Sequence, residues 1–340
     1  MVLVVAGIDQ GLLWHDGNPL LEQRHLDSGA MVNLSNRQVF SIHGRDALRL
    51  VSLLGSADLS ILEQGVAAAS LLLDASGHIR CWLALCPLVP PVDGDAPVLW
   101  GWTSTAAGAD LVEHLNARRF RLEATARLQP EVGVVWQGPG APKEVVGLDQ
   151  AELVADRHGA WDCLGGRQWL VRHPEALMGA TTASIAGTWA YEARRIAAGV
   201  PRIGVDTDDE TIANELGAPT DWLSLSRGCY PGQEVVSRIH NLGSPPRRLV
   251  QLHFDGQDER LPEVGQTLID PDDGWIIGRM GSSAYHGMLG PIGLGLINRN
   301  HDDAREVQAD GLIAKVVPLV DKDAGRHFQA PKGLARPARL

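Results

Sequence analysis

The chain has 340 residues, of which 44% are hydrophobic and 21% charged, and its formal net charge is −11. These values are typical of a globular protein of two or three domains. The negative charge argues against broad electrostatic binding to nucleic acid or anionic membranes, while leaving room for a local basic patch. No apolar run approaches ~20 residues and the N-terminus lacks a basic stretch, so we expect neither a transmembrane helix nor a signal peptide.

The four cysteines are scattered through the chain and do not form a disulfide framework. Cys81 and Cys86 are separated by four residues, but no second pair or histidine pair follows them at the spacing of a metal site. We therefore expect no zinc or permanent cluster site, and a reducing cytoplasm as the compartment.

The first third of the chain predicts strands and helices of an α+β layer. The opening residues and Gln38–Ile42 have the apolar character of strands, and a helix is predicted to begin at Gly44. Asp74–Gly77 is a hairpin turn between the apolar strands Val66–Leu73 and Ile79–Leu85. Further predicted elements are a strand at Val98–Trp100, a helix over Ala106–Arg118 and strands at Arg121–Leu128 and Val132–Trp136.

A loop rich in glycine and proline, Gln137–Pro142, marks the first domain boundary. Strand character resumes over Trp161–Val171, and a helix is predicted over Thr182–Ala198, ended by Gly199. An acidic loop follows at Asp206–Thr211.

The last part of the chain predicts a small antiparallel barrel. After Ser244–Pro246 come short strands separated by turns, near Leu249–Phe254, Trp275–Met280, Gly293–Ile297 and Leu312–Val317. We accordingly divide the chain into an N-terminal α+β lobe at 1–137, a central lobe at 143–243, a barrel at 244–322 and a tail at 323–340.

The most informative stretch is Ser226–Gly243, which places Cys229 beside Arg227 and just before a predicted helix. Pro231 suits the first turn of that helix, and Gly243 is a plausible stop. The positive end of the helix and the arginine both favour the thiolate, so this is the environment of a reactive cysteine. The alternative is that Cys229 is a small apolar residue packed near a turn.

The residues next to the cysteine have two interpretations each. Gly228 and Gly232 allow another molecule to approach the backbone closely. Tyr230 forms either a stacking or hydrogen-bonding wall of a pocket, or an aromatic contact that fixes the start of the helix.

The charged and amide residues of the predicted helix also leave two interpretations open. Gln233 and Glu234 lie in its first turn, where they complement the helix dipole or contact a ligand. Arg238 lies four residues after Glu234, so it forms an ion pair along the helix or binds an anion.

The pattern Arg-Gly-Cys-Tyr-Pro-Gly-Gln-Glu, followed by Val-Val-Ser-Arg, closely resembles the signature of the YgfZ-type folate-binding proteins, relatives of the glycine-cleavage T-protein. Arg227 stands where that signature usually has Lys, so the charge is kept while a planar fork replaces a point charge. The Gly-Arg-Asp-Ala sequence at 44–47 and the hairpin turn extend the resemblance. It implies a multi-lobed α+β fold with a ferredoxin-like layer and a C-terminal antiparallel β-barrel.

The resemblance also implies a function. It implies a folate-binding accessory protein for the assembly or repair of iron–sulfur enzymes, including tRNA-modifying ones. A tetrahydrofolate species would be its cofactor, and Cys229 its redox-active or transfer thiol. Its partners would be iron–sulfur client enzymes or assembly factors, with no direct nucleic-acid or membrane partner. The alternatives are a tetrahydrofolate-dependent aminomethyl transferase and a non-catalytic folate-binding scaffold.

Two departures from the T-protein pattern bear on those alternatives. In the T-protein branch a Glu in Arg-x-Glu-Ala-Gly contacts the pterin, and Ala197 occupies that position here. An alternative source of the missing carboxylate is Asp206 or Asp208 in the loop that follows. The T-protein reaction also requires a carboxylate after the hairpin glycine, but Gly77–Leu83 contains none. We therefore expect no aminomethyl transfer.

Overall fold

A computed structural model describes residues 1–59, 68–87, 97–103, 107–141, 153–217, 222–242, 244–256 and 259–322. The chain divides into two compact units: Met1–Leu72, Arg80–Tyr191 and Asp221–Pro231 form the first, and Leu73–Ile79, Glu192–Thr220 and Gly232–Leu340 the second. The predicted loop residue Pro142, the predicted helix stop Gly243 and the predicted tail at 323–340 lie outside the described residues.

The α-helices of the described residues are short and lie between strands. They are α1 (Pro19–Asp27), α2 (Ala47–Leu54), α3 (Gly108–Ala117), α4 (Pro174–Ala180), α5 (Thr188–Ala197) and α6 (Gln233–Leu242).

The strands before α5 form three antiparallel sheets. Their bounds are β1 (Val2–Leu3), β2 (Leu13–His15), β3 (Met31–Asn33), β4 (Gln38–His43), β5 (Ala68–Leu73), β6 (Ile79–Pro87), β7 (Pro97–Thr103), β8 (Thr125–Leu128), β9 (Gly133–Gln137), β10 (Leu153–His158) and β11 (Arg167–Val171). The sheet orders are β1-β2, β5-β6-β7-β4-β8 and β10-β11-β9-β3. The third sheet thus draws strands from both sides of the 137–142 loop.

The five-stranded sheet is covered on one face by α2 and α3. Leu50 of α2 and Leu111 and Leu115 of α3 are buried in one apolar cluster with sheet residues such as Phe40 and Leu83. Burying a leucine side chain contributes about 1.5–3 kcal/mol, so these helical faces fix the layer. This packing sets the position of the C-terminal end of α2, which the Cys229 segment contacts.

The C-terminal strands close into a barrel, as predicted. They are β12 (Arg247–Phe254), β13 (Thr267–Ile269), β14 (Ile276–His286), β15 (Gly290–Asn298), β16 (Val307–Ala309) and β17 (Leu312–Pro318), in the order β12-β15-β14-β13-β16-β17. The four predicted strands correspond to β12, β14, β15 and β17. The sequence analysis missed β13 and β16, which have only three residues each.

Several predicted boundaries are wrong, and backbone conformation explains two of them. The first part of the strand predicted over Trp161–Val171 is a short 3-10 helix, Trp161–Cys163, followed by Leu164 with a φ of 55°. Because a left-handed residue breaks an extended strand, β11 begins only at Arg167. The strand predicted from Arg121 likewise begins at Thr125, after a loop in which Phe120 has a positive φ.

Other boundaries differ by a few residues. The helix predicted from Gly44 begins at Ala47, and the helix predicted from Thr182 begins at Thr188. The sequence analysis did not identify α1 or α4, whose few apolar residues give a weak periodic pattern. None of the helices in the described ranges has the length and apolarity needed to cross a bilayer.

Candidate functional site

Cys229 lies in an irregular segment ahead of α6 and is exposed, whereas Cys81, Cys86 and Cys163 are buried. All four cysteines of the chain are free thiols. The alternative that Cys229 is a buried apolar residue is therefore wrong. A partner molecule can reach this sulfur without unfolding the chain.

The predicted start of the helix at Pro231 is also wrong. Gly232 adopts a φ of 79°, and α6 begins at Gln233. Because a left-handed residue cannot continue a right-handed helix, Pro231 belongs to the turn that precedes it. Pro231 closes the last segment of the first compact unit, and α6 lies in the second.

Arg227 has backbone partners at the end of α2. Its two terminal guanidinium nitrogens donate to the carbonyl oxygens of Ser52 and Gly55. The last four carbonyls of a helix lack partners within the helix, and a cation there is further favoured by the helix dipole. Arg227 therefore holds the cysteine segment against the C-terminal end of α2.

Tyr230 completes this attachment. The Arg227 guanidinium lies over its ring at 4.9 Å, and its hydroxyl donates to the carbonyl oxygen of Ser224 at 3.0 Å. Partial burial lowers the pKa of Arg227, against the opposing effects of Tyr230 and Asp58. Burial raises the pKa of Tyr230 to about 12, so its phenol stays protonated at neutral pH and donates that hydrogen bond.

The two glycines of the signature differ in their surroundings. A Cβ on Gly228 would meet no atom within 4 Å, so this exposed position leaves room for another molecule. A Cβ on Gly232 would lie 2.6 Å from the carbonyl oxygen of Asp74 and 2.9 Å from the Cα of Gly77. Gly232 is therefore required by close packing on the β5–β6 turn within the second unit.

The first residues of α6 face outward. Gln233 is partly exposed, and Glu234 and Arg238 are both exposed. The hydrogen bonds and ion pairs found among the described residues do not join Glu234 to Arg238, so the predicted ion pair along the helix is absent there. Both side chains are available to a partner or ligand.

The residues at the C-terminal end of α5 bear on whether the chain can bind the tetrahydrofolate implied by the resemblance. Ala197 is the last residue of α5, and Arg195 beside it is only 3% exposed. The Arg195 guanidinium donates to Asp206 Oδ2 at 2.9 Å, to Ser282 Oγ at 2.6 Å and to the Val200 carbonyl oxygen at 2.6 Å. This network joins the helix to the barrel.

The carboxylates of Asp206 and Asp208, which are close in sequence to this helix end, are both paired with arginine side chains. Asp206 also accepts from the backbone N–H groups of Arg202 and Ser282, both at 2.6 Å. Asp208 accepts from the Arg247 guanidinium at 2.6 and 3.0 Å. Neither aspartate can pair with the amino edge of a pterin without losing an ion pair. The residues present at this helix end do not fit the carboxylate–pterin contact.

The stretch after the hairpin glycine, Gly77–Leu83, contains no carboxylate. Arg80 is exposed and Leu83 is buried on β6. Asp74, the acidic residue of the turn, accepts from the backbone N–H groups of Ser76 and His78, each at 2.9 Å. Its carboxylate therefore stabilises the turn itself.

The first unit contains a largely buried cluster of aromatic side chains that was not predicted from the sequence. The rings of Trp82 and Trp161 lie 5.9 and 5.5 Å from that of Trp222, and the Arg157 guanidinium lies 5.6 Å from the ring of Trp102. Within the described part of the chain, the indole N–H groups of Trp82, Trp102 and Trp222 and the Nε of Arg157 are buried without a hydrogen-bond partner. A signal was present in the composition, which has ten tryptophans against three tyrosines and four phenylalanines.

Arg157 is the charged centre of that cluster. Its guanidinium donates to Asp162 Oδ1 at 2.7 Å, and this ion pair raises its pKa although burial alone would lower it. The unpartnered groups are all donors, so they match acceptor oxygens and not the amino-pyrimidine edge of a pterin, which itself donates. The cluster therefore does not replace the missing carboxylate.

Comparison with known proteins gives two curated relatives. The tRNA-modifying protein YgfZ of Escherichia coli O127:H6 is 26% identical over 171 residues, covering 49% of this chain and 44% of that protein. The human mitochondrial iron–sulfur cluster assembly factor IBA57 is 29% identical over 174 residues, covering 48% of this chain and 46% of that protein. The chain thus spans slightly less than half the length of the curated relatives it matches. No protein-family model matches it.

The fold has a counterpart over nearly the whole chain. The crystal structure of the glycine cleavage system aminomethyltransferase T from Bartonella henselae matches with a TM-score of 0.71, covering 95% of both chains at 18% identity. An identity this low shows the fold alone. Together these matches confirm the resemblance drawn from the signature: the chain has YgfZ and IBA57 homologues that match slightly less than half of its length, and it has a T-protein-like fold.

Proposed function

We propose that this homologue of the YgfZ and IBA57 proteins is an accessory factor for the assembly or repair of iron–sulfur enzymes, and that Cys229 is its working thiol. The observation that carries the proposal is the exposure of Cys229 within the signature segment. The names of the two relatives, an iron–sulfur cluster assembly factor and a tRNA-modifying protein, support the same role.

The other cysteines are poor candidates for this chemistry. Burial raises the pKa of Cys81 to about 11 and that of Cys163 to about 12. Both are therefore protonated at neutral pH, and the thiolate is the form that binds iron or attacks a sulfur atom. Cys229 alone combines exposure with the signature sequence.

The residues around Cys229 hold its thiol where a partner can reach it. Arg227 and Tyr230 attach the segment to α2, while the space around Gly228, the residue before Cys229, is open. A thiolate held in this way can bind an iron ion of a client cluster or exchange with an oxidised sulfur on a client protein. The partners are accordingly iron–sulfur client enzymes or assembly factors.

Tetrahydrofolate is implied by the resemblance, but no step of this proposal depends on it. The carboxylates that would pair with a pterin at the end of α5 are held by Arg195 and Arg247. We expect a folate, if bound, to use contacts other than those of the T-protein branch. Titration calorimetry of the purified chain with tetrahydrofolate and its formyl form measures this directly.

The T-protein-like fold makes aminomethyl transfer the second candidate function. We predict that it does not occur, because Gly77–Leu83 has no carboxylate and Ala197 replaces the pterin-binding Glu. The measurement is formation of methylene-tetrahydrofolate from an aminomethylated carrier protein. Formation above the uncatalysed background would contradict the prediction.

Complementation tests the main proposal. Cells that lack the endogenous homologue receive the wild-type chain, Cys229→Ala, or Ser226→Ala as an exposed neighbour control, and the activity of client iron–sulfur enzymes is measured under oxidative stress. We expect Cys229→Ala to lose restoration and Ser226→Ala to keep it. Full restoration by a folded Cys229→Ala protein would show that the thiol is dispensable, and the proposal would fail.

A further inference from the structure

The loop between α3 and β8 departs from ordinary local structure at Phe120. Its backbone φ is 49°, in the left-handed region that a bulky side chain rarely adopts. Its side chain is 86% exposed, so burial does not compensate for the strain. Strained residues that packing does not explain concentrate at functional sites. The loop is therefore a candidate site separate from Cys229.

Arginines surround this phenylalanine. Arg118, Arg119 and Arg121 are its chain neighbours, and Arg127 follows on β8, the edge strand of its sheet. All four are exposed. A cluster of this sign stands out on a chain with a net charge of −11.

The carboxylate within this surface is already paired. Glu123 accepts from Arg45 Nη2 at 2.8 Å, and its backbone N–H donates to Asp46 Oδ2 at 2.9 Å. Arg119 fixes the loop by donating to the Ala124 carbonyl oxygen at 3.2 Å and to Thr125 Oγ1 at 2.9 Å. The local field therefore remains positive.

The loop also borders an open cleft of about 440 Å³ in the first unit. The cleft lining includes His43 at the end of β4, Gly44 after it, Phe120, the paired Glu123, and Arg119, Arg121 and Arg127. A concave surface that combines an exposed ring with several guanidinium groups can hold a planar group and an anionic group at the same time.

We propose that this loop and cleft bind single-stranded nucleic acid, with Phe120 stacking on a base and Arg121 and Arg127 contacting phosphates. An acidic peptide would use the arginines but gain little from an exposed phenyl ring, whereas a nucleic-acid base gains binding energy by stacking on an aromatic side chain. The overall negative charge argues against broad binding to nucleic acid but leaves room for a local basic patch, and the exposed arginines of this loop form such a patch. The proposal departs from the expectation of no direct nucleic-acid partner that came with the resemblance.

The test is fluorescence anisotropy of the full chain with a labelled single-stranded 12-nucleotide RNA and the matching DNA, at low and moderate salt. Arg121→Glu combined with Arg127→Glu should raise Kd at least tenfold, because it removes two phosphate contacts and adds repulsion. The control pair, Arg260→Glu with Lys315→Glu, makes the same charge change at two exposed residues of the second unit and should leave Kd within about twofold. The RNA and DNA arms show whether the 2′-hydroxyl is read.

Phe120→Asn separates stacking from a structural role. Asparagine tolerates a positive φ, so the variant should have a higher melting temperature, yet it should bind the oligonucleotide about five- to tenfold more weakly. Trp275→Asn, at an exposed aromatic residue of the second unit, is the matched control. No binding by the wild type at low salt, unchanged binding by Phe120→Asn, or equal competition by polyglutamate would each overturn the proposal, the last in favour of an acidic protein partner. Because Phe120, Arg121 and Arg127 do not belong to the Cys229 segment, this result does not depend on the proposed role of Cys229.

Discussion

The Cys229 segment and the C-terminal end of α5 each contain an arginine two residues before the position that the resemblance singles out, Cys229 or Ala197. The two regions differ in which side chains they leave exposed. Arg227 donates to two carbonyl oxygens of α2, and the neighbouring thiol remains exposed. Arg195 pairs with Asp206 and Ser282 in a buried network, and Ala197 offers no polar group. An arginine thus attaches an exposed cysteine segment to α2 in one region and pairs with the available carboxylate in the other.

This difference shows that a charged residue in a signature can have a purely structural set of contacts. The guanidinium of an arginine in a signature need not affect the side chain near it in sequence, because helix ends and buried carboxylates compete for the same guanidinium. Substitutions that break the contacts of each region should therefore differ in their effect on the free energy of unfolding.

The largest effect is expected from breaking the α5 network. Arg195→Ala should destabilise the chain by about 3–5 kcal/mol, because it leaves the buried Asp206 carboxylate without its cation. Arg194→Ala, at the less buried neighbouring position, is the control and should cost less than about 1 kcal/mol. Chemical denaturation of the three proteins measures the difference. Equal costs for the two arginines would mean that the network contributes little.

Arg227 should matter through its shape as well as its charge. Arg227→Lys should cost about 1–2 kcal/mol, because a single ammonium replaces the planar fork that reaches the carbonyls of Ser52 and Gly55. Arg227→Glu should cost more, since its carboxylate faces the negative end of α2. The comparison of Lys with Glu by thermal melting separates charge from geometry. A Lys variant as stable as the wild type would show that the positive charge alone is sufficient at this position.

Asp208 should make the second unit sensitive to acid. Although burial raises the pKa of this carboxyl, hydrogen bonds from Arg247 and Thr211 outweigh that effect and hold it well below its usual range. The stability that this depressed pKa provides is present above pH ~4, near the unfolded value, and is lost as the pH falls toward the folded value. Melting temperature between pH 5 and 2 should therefore fall more steeply for the wild type than for Asp208→Asn. Asp209→Asn, at an exposed neighbour, should behave as the wild type.

Particular residues show how far the sequence predicts this molecule. The signature and the turn-separated strands of the barrel were sufficient for the family resemblance and the barrel, because both depend on local patterns. The role of Arg227 depends on α2, about 175 residues earlier in the chain, and no local pattern indicates it. No local pattern indicates the left-handed conformations of Gly232 and Leu164 either, so the boundaries next to them were misplaced.

The smallest effect on stability is expected at the proposed working residue itself. Cys229→Ala should change the free energy of unfolding by less than about 0.5 kcal/mol, because an exposed side chain leaves no cavity when it is shortened. In native alkylation with iodoacetamide, the wild type should gain one label per chain on a short timescale and Cys229→Ala none, since the other three thiols are buried. Cys86→Ala, which removes a buried thiol, should still gain one label. Rapid labelling of Cys229→Ala would place the accessible thiol elsewhere, whereas a large loss of stability would show that Cys229 is held by the fold in the way that Arg195 is.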